Sequence, residues 1–417
     1  MSTLQKQPDL PEPAYPEVDS MLSRRFGKEV ANYFAGSPLN RLGFLRADNT
    51  FLSRAVKHPS TSFLLCNELQ PLVEPNTPAG QGKLHFVKYE DVKPVIGEDP
   101  WAHPEEDQIK AYNSEKYIPQ MIFLGLDEKV TTGGLEYEGK NLYKGAPYFA
   151  VDVTPRESVG SACESLLAAQ KEKGYEISKG RMMDLDPSHA AIYAAARQLL
   201  DWNARNPYCA GCGHKTMSVN AGFKRTCPSK DVANNASERP PCVTRKGVTN
   251  LSFPRTDPTV IMAILNHAGT HILLGRQGRW PPHWYSTLAG FAEPAESIEE
   301  AVRRETYEES GVLVGRVVVH STQPWPYPAN LMIGAIGQAV PQGEKINLGN
   351  DPELEDAQWF SLDQVREALS NGVSGLDEPA GSKYKEGGLR LPPGTAIANQ
   401  LMTAVVNGVF TGANSKI

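Results

Sequence analysis

The sequence has no run of eighteen or more apolar residues, and it has no excess of basic residues. The first absence argues against a membrane-spanning helix, which needs about twenty apolar residues in succession. With 42 lysines and arginines against 48 aspartates and glutamates, the net charge is −6. We therefore do not expect a protein that holds nucleic acid mainly by a basic surface, although a local basic groove stays open. A length of 417 residues exceeds one compact core and suits two or three domains.

Cysteine is scarce, with six residues in the chain. The first sixteen residues are polar and lack the basic and apolar regions of a secretory signal, so we expect a reducing compartment. Clustered cysteines in such a compartment usually bind metal. Two of the six, Cys66 and Cys163, stand in apolar or helical surroundings and are expected in the core.

The other four cysteines predict a structural zinc site. In Cys209-Ala-Gly-Cys212-Gly the two-residue gap lets both thiolates face one ion, and the glycines permit a tight turn. Cys227 and Cys242 are the candidates for the second pair, with Pro228–Pro241 looping out between them. Four thiolates close a tetrahedral site and leave no position for a substrate. The alternative is a set of free thiols, but this segment is too poor in apolar residues to fold without a staple.

Short apolar runs and helical patterns predict the secondary structure on either side of this cluster. Before the cluster we expect strands at 63–65, 121–124 and 148–151, a loop over Pro94–Pro104 and a helix over Ala190–Trp202. After it we expect a hairpin of 260–265 with 272–274, strands near 317–320 and 331–339, and helices near 297–310, 362–369 and 395–406. This order predicts an α+β fold whose last domain is an α/β/α sandwich with a mixed β-sheet.

Changes of composition divide the chain into five predicted segments. They are a flexible lead (1–25), an N-terminal α+β domain (26–203), a zinc ribbon (204–250), a catalytic domain (251–412) and a C-terminal tail (413–417). The tail ends in Ser415-Lys416-Ile417, which is close to the Ser-Lys-Leu peroxisomal address. We expect a peroxisomal location with an import receptor as partner, and the alternative is an accidental tripeptide in a cytoplasmic protein.

The stretch from Gly290 to Val312 carries the clearest chemistry. Ser297-Ile-Glu-Glu300 is a capping box that begins a helix, and Gly311 is suited to end it. On this helix Glu305, Glu308 and Glu309 stand at i, i+3 and i+4 and share one face. Such neighbours repel one another, and a divalent cation such as Mg²⁺ or Mn²⁺ removes the conflict. A solvated acidic helix face is the plain alternative.

Spacing decides against that alternative. Gly290, Glu296, the Arg304-Glu305 pair, Glu308-Glu309 and Gly311 resemble the Nudix box position by position. Thr306 departs from it, because the box prefers a bulky aliphatic residue there. The resemblance implies a Nudix hydrolase fold and hydrolysis of a phosphoric anhydride with divalent metal.

A second motif follows at Thr322–Asn330, with the sequence TQPWPYPAN. It resembles the SQPWPFPxS array of the NADH pyrophosphatases within the Nudix superfamily. Three prolines in five residues predict a stiff loop, and Trp325 and Tyr327 could stack on a flat base or nicotinamide ring. A rigid loop whose aromatic rings pack internally is the alternative. The resemblance also covers the zinc ribbon, the segment Phe253–Pro258 and the segment Glu353–Phe360.

This resemblance implies hydrolysis of NADH, and of NAD, to nicotinamide mononucleotide and AMP by a homodimer. It implies Arg304, Glu305, Glu308 and Glu309 as catalytic residues, with the base left open between Glu308 and Glu309. The carbonyl of Ala289 and the carboxylate of Glu353, with Glu355 as second choice, would complete the metal ligands. The implied substrate contacts are Phe253, Gln323, Pro324, Trp325, Pro326, Tyr327, Pro328, Ala329, Asn330 and Ala398.

Three other functions stay open on the sequence. The same site could remove NAD caps from RNA 5′ ends. A general nucleoside-diphosphate hydrolase is disfavoured by the proline-aromatic array. A non-catalytic nucleotide-binding or interaction module is disfavoured by the three crowded carboxylates Glu305, Glu308 and Glu309, which have no chemical reason to persist in it.

Overall fold

The computed structural model describes residues 9–12, 30–78, 80–139, 142–234, 237–247, 251–292, 296–349 and 353–408. The predicted peroxisomal tripeptide and most of the predicted flexible lead lie outside these residues. Among the residues that are described, no helix is both long and apolar enough to cross a membrane.

The chain divides into two compact units. The first unit comprises residues 37–255 together with the short segment 326–328. The second comprises 256–325, the chain from 329 onward and the residues up to Gly36. The cysteine-rich segment thus belongs to the same compact unit as the chain that precedes it.

Eight helices and seventeen strands are found in the described residues. The helices are α1 (Asn49–Lys57), α2 (Tyr89–Ile96), α3 (Glu105–Lys110), α4 (Gly160–Glu172), α5 (Pro187–Arg205), α6 (Ile298–Ser310), α7 (Leu362–Asn371) and α8 (Ile397–Val406). The strands of the first unit are β1 (Ser62–Asn67), β2 (Gln70–Val73), β3 (Phe86–Val87), β4 (Met121–Asp127), β5 (Leu135–Glu138), β6 (Leu142–Asp152), β7 (Glu176–Ile177), β8 (Met217–Val219), β9 (Lys224–Thr226), β10 (Lys230–Asp231) and β11 (Ser237–Glu238). Those of the second unit are β12 (Asp257–Leu265), β13 (His271–Arg276), β14 (Leu288–Phe291), β15 (Val314–Trp325), β16 (Asn330–Ala339) and β17 (Asp356–Ser361).

A seven-stranded sheet forms the centre of the first unit. Its order is β4-β6-β1-β2-β7, with β3 beside β1 and β5 beside β6. Strands β1 and β6 run parallel, and the centre of β1 and the second half of β6 are mostly buried, as their apolar runs predict. The side chains of Phe63, Phe123 and Phe149 are fully buried in the core of this unit. Helix α5 covers the predicted helix over Ala190–Trp202 and begins at Pro187 behind the cap Asp186.

The second unit is the predicted α/β/α sandwich. Its six-stranded sheet has the order β15-β16-β12-β13-β17, with β14 beside β12, and the β12–β16 pair is parallel. Alternate residues of β12 enter opposite cores, because successive side chains of a strand point to opposite faces. Val260, Met262 and Ile264 pack with helix α6, whereas Ile261 and Ala263 pack with helices α7 and α8.

Two sequence predictions of local structure were wrong in part. Pro94 lies inside helix α2, which continues to Ile96, so the predicted loop is interrupted. Residues Val92 and Val95 of this helix are buried, and their packing outweighs the cost of the proline. The array at 322–330 is also less of a loop than expected, because β15 continues through Trp325 and pairs Pro324 with Leu331. Strand β15 is an edge strand of its sheet, and a proline, which has no N–H to donate, is tolerated there.

Candidate active site

Helix α6 presents the carboxylates, and its ends are built as the sequence predicts. Ser297 Oγ accepts a hydrogen bond from the Glu300 amide at 3.3 Å, and the Glu300 carboxylate accepts one from the Ser297 amide at 2.8 Å. Gly311 ends the helix with a left-handed φ of 72°. Ala301 and Val302 are fully buried against the sheet. The opposite side of the helix is thereby left to its charged residues.

Arg304 is the centre of the charged cluster. Its guanidinium donates to Glu296 Oε1 at 2.8 Å and Oε2 at 2.9 Å, which is a two-pronged pair. It also donates to Glu305 Oε1 and to Glu308 Oε2, both at 2.9 Å, and to the carbonyl of Phe291 at 2.8 Å. One side chain therefore orients three carboxylates and ties helix α6 to strand β14. These carboxylates in turn raise the pKa of Arg304, most strongly through the bond to Glu296.

The carboxylates differ in exposure. Glu309 is buried, Glu305 is mostly buried, and the Glu308 side chain is 45% exposed. Burial raises the pKa of Glu305, although the neighbouring Arg304 works in the opposite direction. Three carboxylates, those of Glu296, Glu305 and Glu308, contact a single guanidinium, so these four side chains carry a formal excess of two negative charges.

The cluster offers the oxygen donors that suit a divalent cation. Carboxylate oxygens are the ligands that Mg²⁺ and Mn²⁺ prefer. Gly290 supplies the space, because a Cβ there would collide with the carboxylate of Glu305. Gly290 and the predicted carbonyl ligand Ala289 are neighbours on strand β14, which pairs with β12. The glycine of the box is thus explained by the room that it leaves for Glu305.

Neither of the predicted downstream carboxylates is among the described hydrogen-bond partners of Arg304. Glu353 is exposed, and Glu355 forms an ion pair with Arg276. Among the residues that the structure describes, a single group of three or more candidate metal ligands has donor atoms that all lie within 4.8 Å of one another. Its members are cysteines. The assignment of Glu353 as a metal ligand therefore stays a prediction.

Gln323 of the proline-aromatic array is buried and bonded at both ends of its amide. Its Nε2 donates to the carbonyls of Tyr33 at 3.1 Å and Thr395 at 2.9 Å. Its Oε1 accepts from the amide of Ile397 at 2.9 Å. This side chain fixes the start of helix α8. The polar atoms of Gln323 are thus bonded to protein backbone in this structure, and its predicted contact with substrate stays a prediction.

The tip of the array belongs to the first unit. The ring of Tyr327 lies 4.8 Å from the guanidinium of Arg197 and 5.6 Å from that of Arg181. The Tyr327 hydroxyl accepts a hydrogen bond from the amide of Met182 at 3.0 Å, and Arg197 Nε donates to the carbonyl of Pro326 at 2.9 Å. Tyr327 is packed between cations in this structure, which favours the alternative of an internally packed ring at this position.

The other predicted substrate contacts are distributed over both units. Trp325 is half-buried and meets Phe34 edge-on at 6.2 Å. Asn330 is buried and donates to Thr259 at 3.0 Å. Ala398 lies on the buried side of helix α8, and the ring of Phe253 in the first unit lies 5.3 Å from the ammonium of Lys224. Pro324 and Ala329 are half-buried, and Pro328 is exposed.

Phe291 is a residue that the sequence prediction missed. It directly follows Gly290, and its side chain is 57% exposed although its carbonyl is bonded to Arg304. An exposed aromatic ring beside the carboxylate cluster can stack on a flat heterocycle. The signal was present in the sequence, because a strand that ends in an aromatic residue next to the box glycine places that ring at the site.

The four cysteines of the cluster come together as predicted. All four Sγ atoms lie within 4.8 Å of one another, with Cys209–Cys242 at 3.5 Å and Cys212–Cys227 at 3.4 Å. A tetrahedral zinc–thiolate site has sulfurs about 3.8 Å apart, so the group can hold such an ion with little movement. Burial works to raise the pKa of Cys242, but hydrogen bonds from Thr244 and the neighbouring thiols lower it to about 6.

The long gap in this cluster is folded. Strands β10 and β11 pair antiparallel within it. Arg239 and Asp231 form a buried ion pair at 2.5 Å, and the amide of Ser114 also donates to Asp231 at 3.0 Å. The fourteen residues between Cys227 and Cys242 are therefore anchored to the rest of the first unit, which allows the two thiols to meet.

Comparisons with known proteins match both halves of the chain to described domain families. The Nudix domain family matches residues 255–378, and a family described as the NADH pyrophosphatase-like rudimentary Nudix domain matches residues 60–202. A relative from Schizosaccharomyces pombe is 34% identical over 403 residues, which cover 95% of this chain and 99% of the relative. The chain belongs to the Nudix hydrolase family. As predicted, it is an enzyme that hydrolyses pyrophosphate bonds, and the non-catalytic alternative is set aside.

Two kinds of name among the relatives of this Nudix hydrolase describe a substrate. The Schizosaccharomyces pombe protein is called a NAD-capped RNA hydrolase, and so is a human protein that is 34% identical over 90% of this chain and 73% of its own length. A human mitochondrial protein called NAD(P)H pyrophosphatase is 32% identical over 53% of this chain and 56% of its own length.

Replacing Gly290 of the Nudix hydrolase by alanine is expected to lower kcat/KM by about ten- to a hundredfold. The new Cβ displaces the carboxylate of Glu305, and because that carboxylate is the end of a flexible side chain, stability changes by less than about 1 kcal/mol. Steady-state kinetics and thermal unfolding measure the two effects. Gly278→Ala is the control, since a Cβ there meets its nearest neighbour at 3.8 Å. Equal activities of the two variants would refute the role of Gly290.

Replacing Phe291 of the Nudix hydrolase by alanine is expected to lower kcat/KM about tenfold without loss of stability. A stacked base contributes about 1–3 kcal/mol, and this ring is too exposed to support the core. Phe44→Ala removes another exposed ring and is the control in the same kinetic assay. If both variants keep full activity, the ring of Phe291 does not bind substrate.

Proposed function

We propose that this chain hydrolyses the diphosphate of NADH, and of NAD, to nicotinamide mononucleotide and AMP. The observation that carries the proposal is the Arg304 cluster, in which one guanidinium orients Glu296, Glu305 and Glu308 beside the exposed ring of Phe291. The proline-aromatic array and the matching rudimentary Nudix domain support a dinucleotide as the substrate.

The chemistry follows from charge and position. Glu305, Glu308 and Glu309 are the residues that would hold Mg²⁺ or Mn²⁺. When bound, such a cation neutralises the oxygens of the diphosphate and makes nearby water more acidic. Arg304 keeps the carboxylates oriented, and the partly exposed Glu308 can accept a proton from the attacking water. Buried Glu309 is better placed as a ligand than as a base, so we favour Glu308 for the base.

NAD-capped RNA is the second candidate substrate. The specific observation in its favour is the name of the relatives that match the chain over nearly its whole length. The bond cleaved is the same in both substrates, since the cap is a NAD whose adenosine continues into RNA. An RNA of any length also requires a positively charged surface for its phosphates. The net charge of −6 does not supply such a surface.

The deciding experiment compares kcat/KM for NADH, NAD, ADP-ribose and an NAD-capped RNA, with Mg²⁺ and with Mn²⁺. Products are identified by mass. A preference for NADH that yields AMP supports the first candidate, and a preference for capped RNA supports the second. A preference for ADP-ribose would overturn both, because the nicotinamide would then contribute nothing to recognition.

Three further properties belong to the proposal. The cysteine cluster binds one structural zinc, as its donor set suits. The chain assembles as a homodimer, which size-exclusion chromatography with light scattering tests directly. Ser415-Lys416-Ile417 directs import into peroxisomes, and the test is the location of a fluorescent fusion with and without the free tripeptide.

A further inference from the structure

A cavity of about 580 Å³ lies in the second unit, away from the residues assigned above. Its floor includes Tyr285 and Phe360, whose rings meet edge-to-face with centroids 5.0 Å apart. Helix α7 forms one wall, and the segment from Lys383 to Leu389 forms another. The residues that line the cavity include none of those predicted to bind metal or substrate. Cavities of this volume are common for small-molecule ligands.

The cavity is held open by hydrogen bonds between its floor and its rim. Arg390 links the two, because its amide donates to the His283 carbonyl at 2.8 Å and its carbonyl accepts from the Tyr285 amide at 2.9 Å. Within the rim, the Tyr384 hydroxyl donates to the carbonyl of Gly388 at 2.7 Å. Gly372 lets the rim approach helix α7 closely, since a Cβ there would collide with the carbonyl of Leu389. The site is thus formed before any ligand arrives.

The polar groups are those that recognise a base and one phosphate. The side-chain amides of Gln358, Gln364 and Asn371 line the cavity. Gln358 Nε2 donates to Asp356 at 2.6 Å and Gln364 Oε1 accepts from the Ser361 amide at 2.8 Å, so Gln358 Oε1, Gln364 Nε2 and the Asn371 amide are the groups that can bond to the edge of a heterocycle. Lys383 has no ion pair among the residues that the structure describes, and Lys385 has only an exposed one with Glu367 at 3.3 Å. Glu367 and Glu386 also line the cavity, and these carboxylates disfavour a ligand with several phosphates.

We propose that this cavity binds a nucleoside monophosphate, with the base against the half-buried ring of Phe360 and the phosphate at Lys383. AMP, which the proposed reaction releases, is one such molecule. The binding itself does not depend on that reaction, because AMP contains no pyrophosphate bond to be cleaved.

The test uses 8-azido-AMP with the full chain, followed by peptide mapping of the photolabelled protein. We expect a label in the peptides that line the cavity, residues 358–372 or 383–389, because the azido group is carried by the base. AMP should compete with this labelling, whereas the same concentration of inorganic phosphate should not. Lys383→Ala is expected to weaken this labelling about tenfold, the effect of losing one charge-assisted contact of about 1.4 kcal/mol. Lys345→Ala, an exposed lysine of the same unit outside the cavity, is the control.

Each outcome decides the proposal. Absence of label in both 358–372 and 383–389, or equal labelling of the Lys383 and Lys345 variants, overturns it. Competition by phosphate as strong as that by AMP reduces the cavity to an anion site and also overturns it. Label confined to peptides around Phe291 would mean that AMP binds only beside helix α6. Turnover of NADH is measured separately, so failure of the proposed function leaves the labelling result intact.

Discussion

Glu309→Gln is expected to abolish measurable hydrolysis, with kcat/KM falling by at least about a thousandfold. The substitution keeps the size of a buried side chain but removes the negative charge that attracts a divalent cation. A loss of about 4 kcal/mol of transition-state stabilisation corresponds to that factor. The measurement is steady-state kinetics on NADH and on NAD-capped RNA, with circular dichroism to establish the fold.

The matched control for this experiment lies on the same helix. Glu299 stands in the first turn of helix α6 and is not among the carboxylates bonded to Arg304, so Glu299→Gln is expected to keep nearly full activity. A folded Glu309→Gln enzyme with near wild-type turnover would refute the assignment of Glu309. Titration with Mn²⁺, followed by electron paramagnetic resonance, should show that the inactive variant binds the ion more weakly than the wild-type enzyme does.

Helix α6 was predictable because its determinants are local. Ser297, Glu300 and Gly311 fix its ends by contacts within a few residues, and the spacing of Glu305 from Arg304 is read directly from the sequence. The meeting of Cys209 with Cys242 was predictable for a different reason. A segment with few apolar residues requires the thiols to converge, whatever path the gap between them takes.

Other features depend on partners far away in the chain. Gln323 bonds to Tyr33, Thr395 and Ile397, and no local pattern indicates that its amide is used in this way. Tyr327 is likewise placed by Arg197, which lies in a helix that precedes it by more than a hundred residues. The motif resemblance gives such residues a role in substrate binding, whereas their contacts in the structure are with protein.

The cavity lined by Tyr285 could not be predicted from the sequence, for a different reason. Tyr285, Phe360 and Lys383 come from separate elements, and each is ordinary in its own sequence context. Their juxtaposition follows from the pairing of β13 with β17 and from the path of the chain after helix α7. Neither is encoded in a motif, so a site of this type is found only from the fold.

Cys227→Ser is expected to release the zinc and to destabilise the first unit by about 3 kcal/mol or more. A hydroxyl does not replace a thiolate as a zinc ligand at neutral pH, and the free energy of binding a structural zinc is part of the free energy of folding. The effect reaches beyond the cluster, because the segment that Cys227 and Cys242 close also carries Asp231, which is bonded to Ser114. Metal analysis should show the zinc content falling from about one ion per chain to nearly none, and limited proteolysis should cut first between residues 204 and 247.

Cys163→Ala is the matched control, since that cysteine is fully buried in the same unit but outside the cluster. Loss of the Cys163 thiol should lower the free energy of unfolding by about 1 kcal/mol and leave the zinc in place. If instead both variants keep their zinc, or if the freshly purified wild-type enzyme is active without any, the four thiols are not the staple of this unit, and the buried Arg239–Asp231 pair must hold the segment without them.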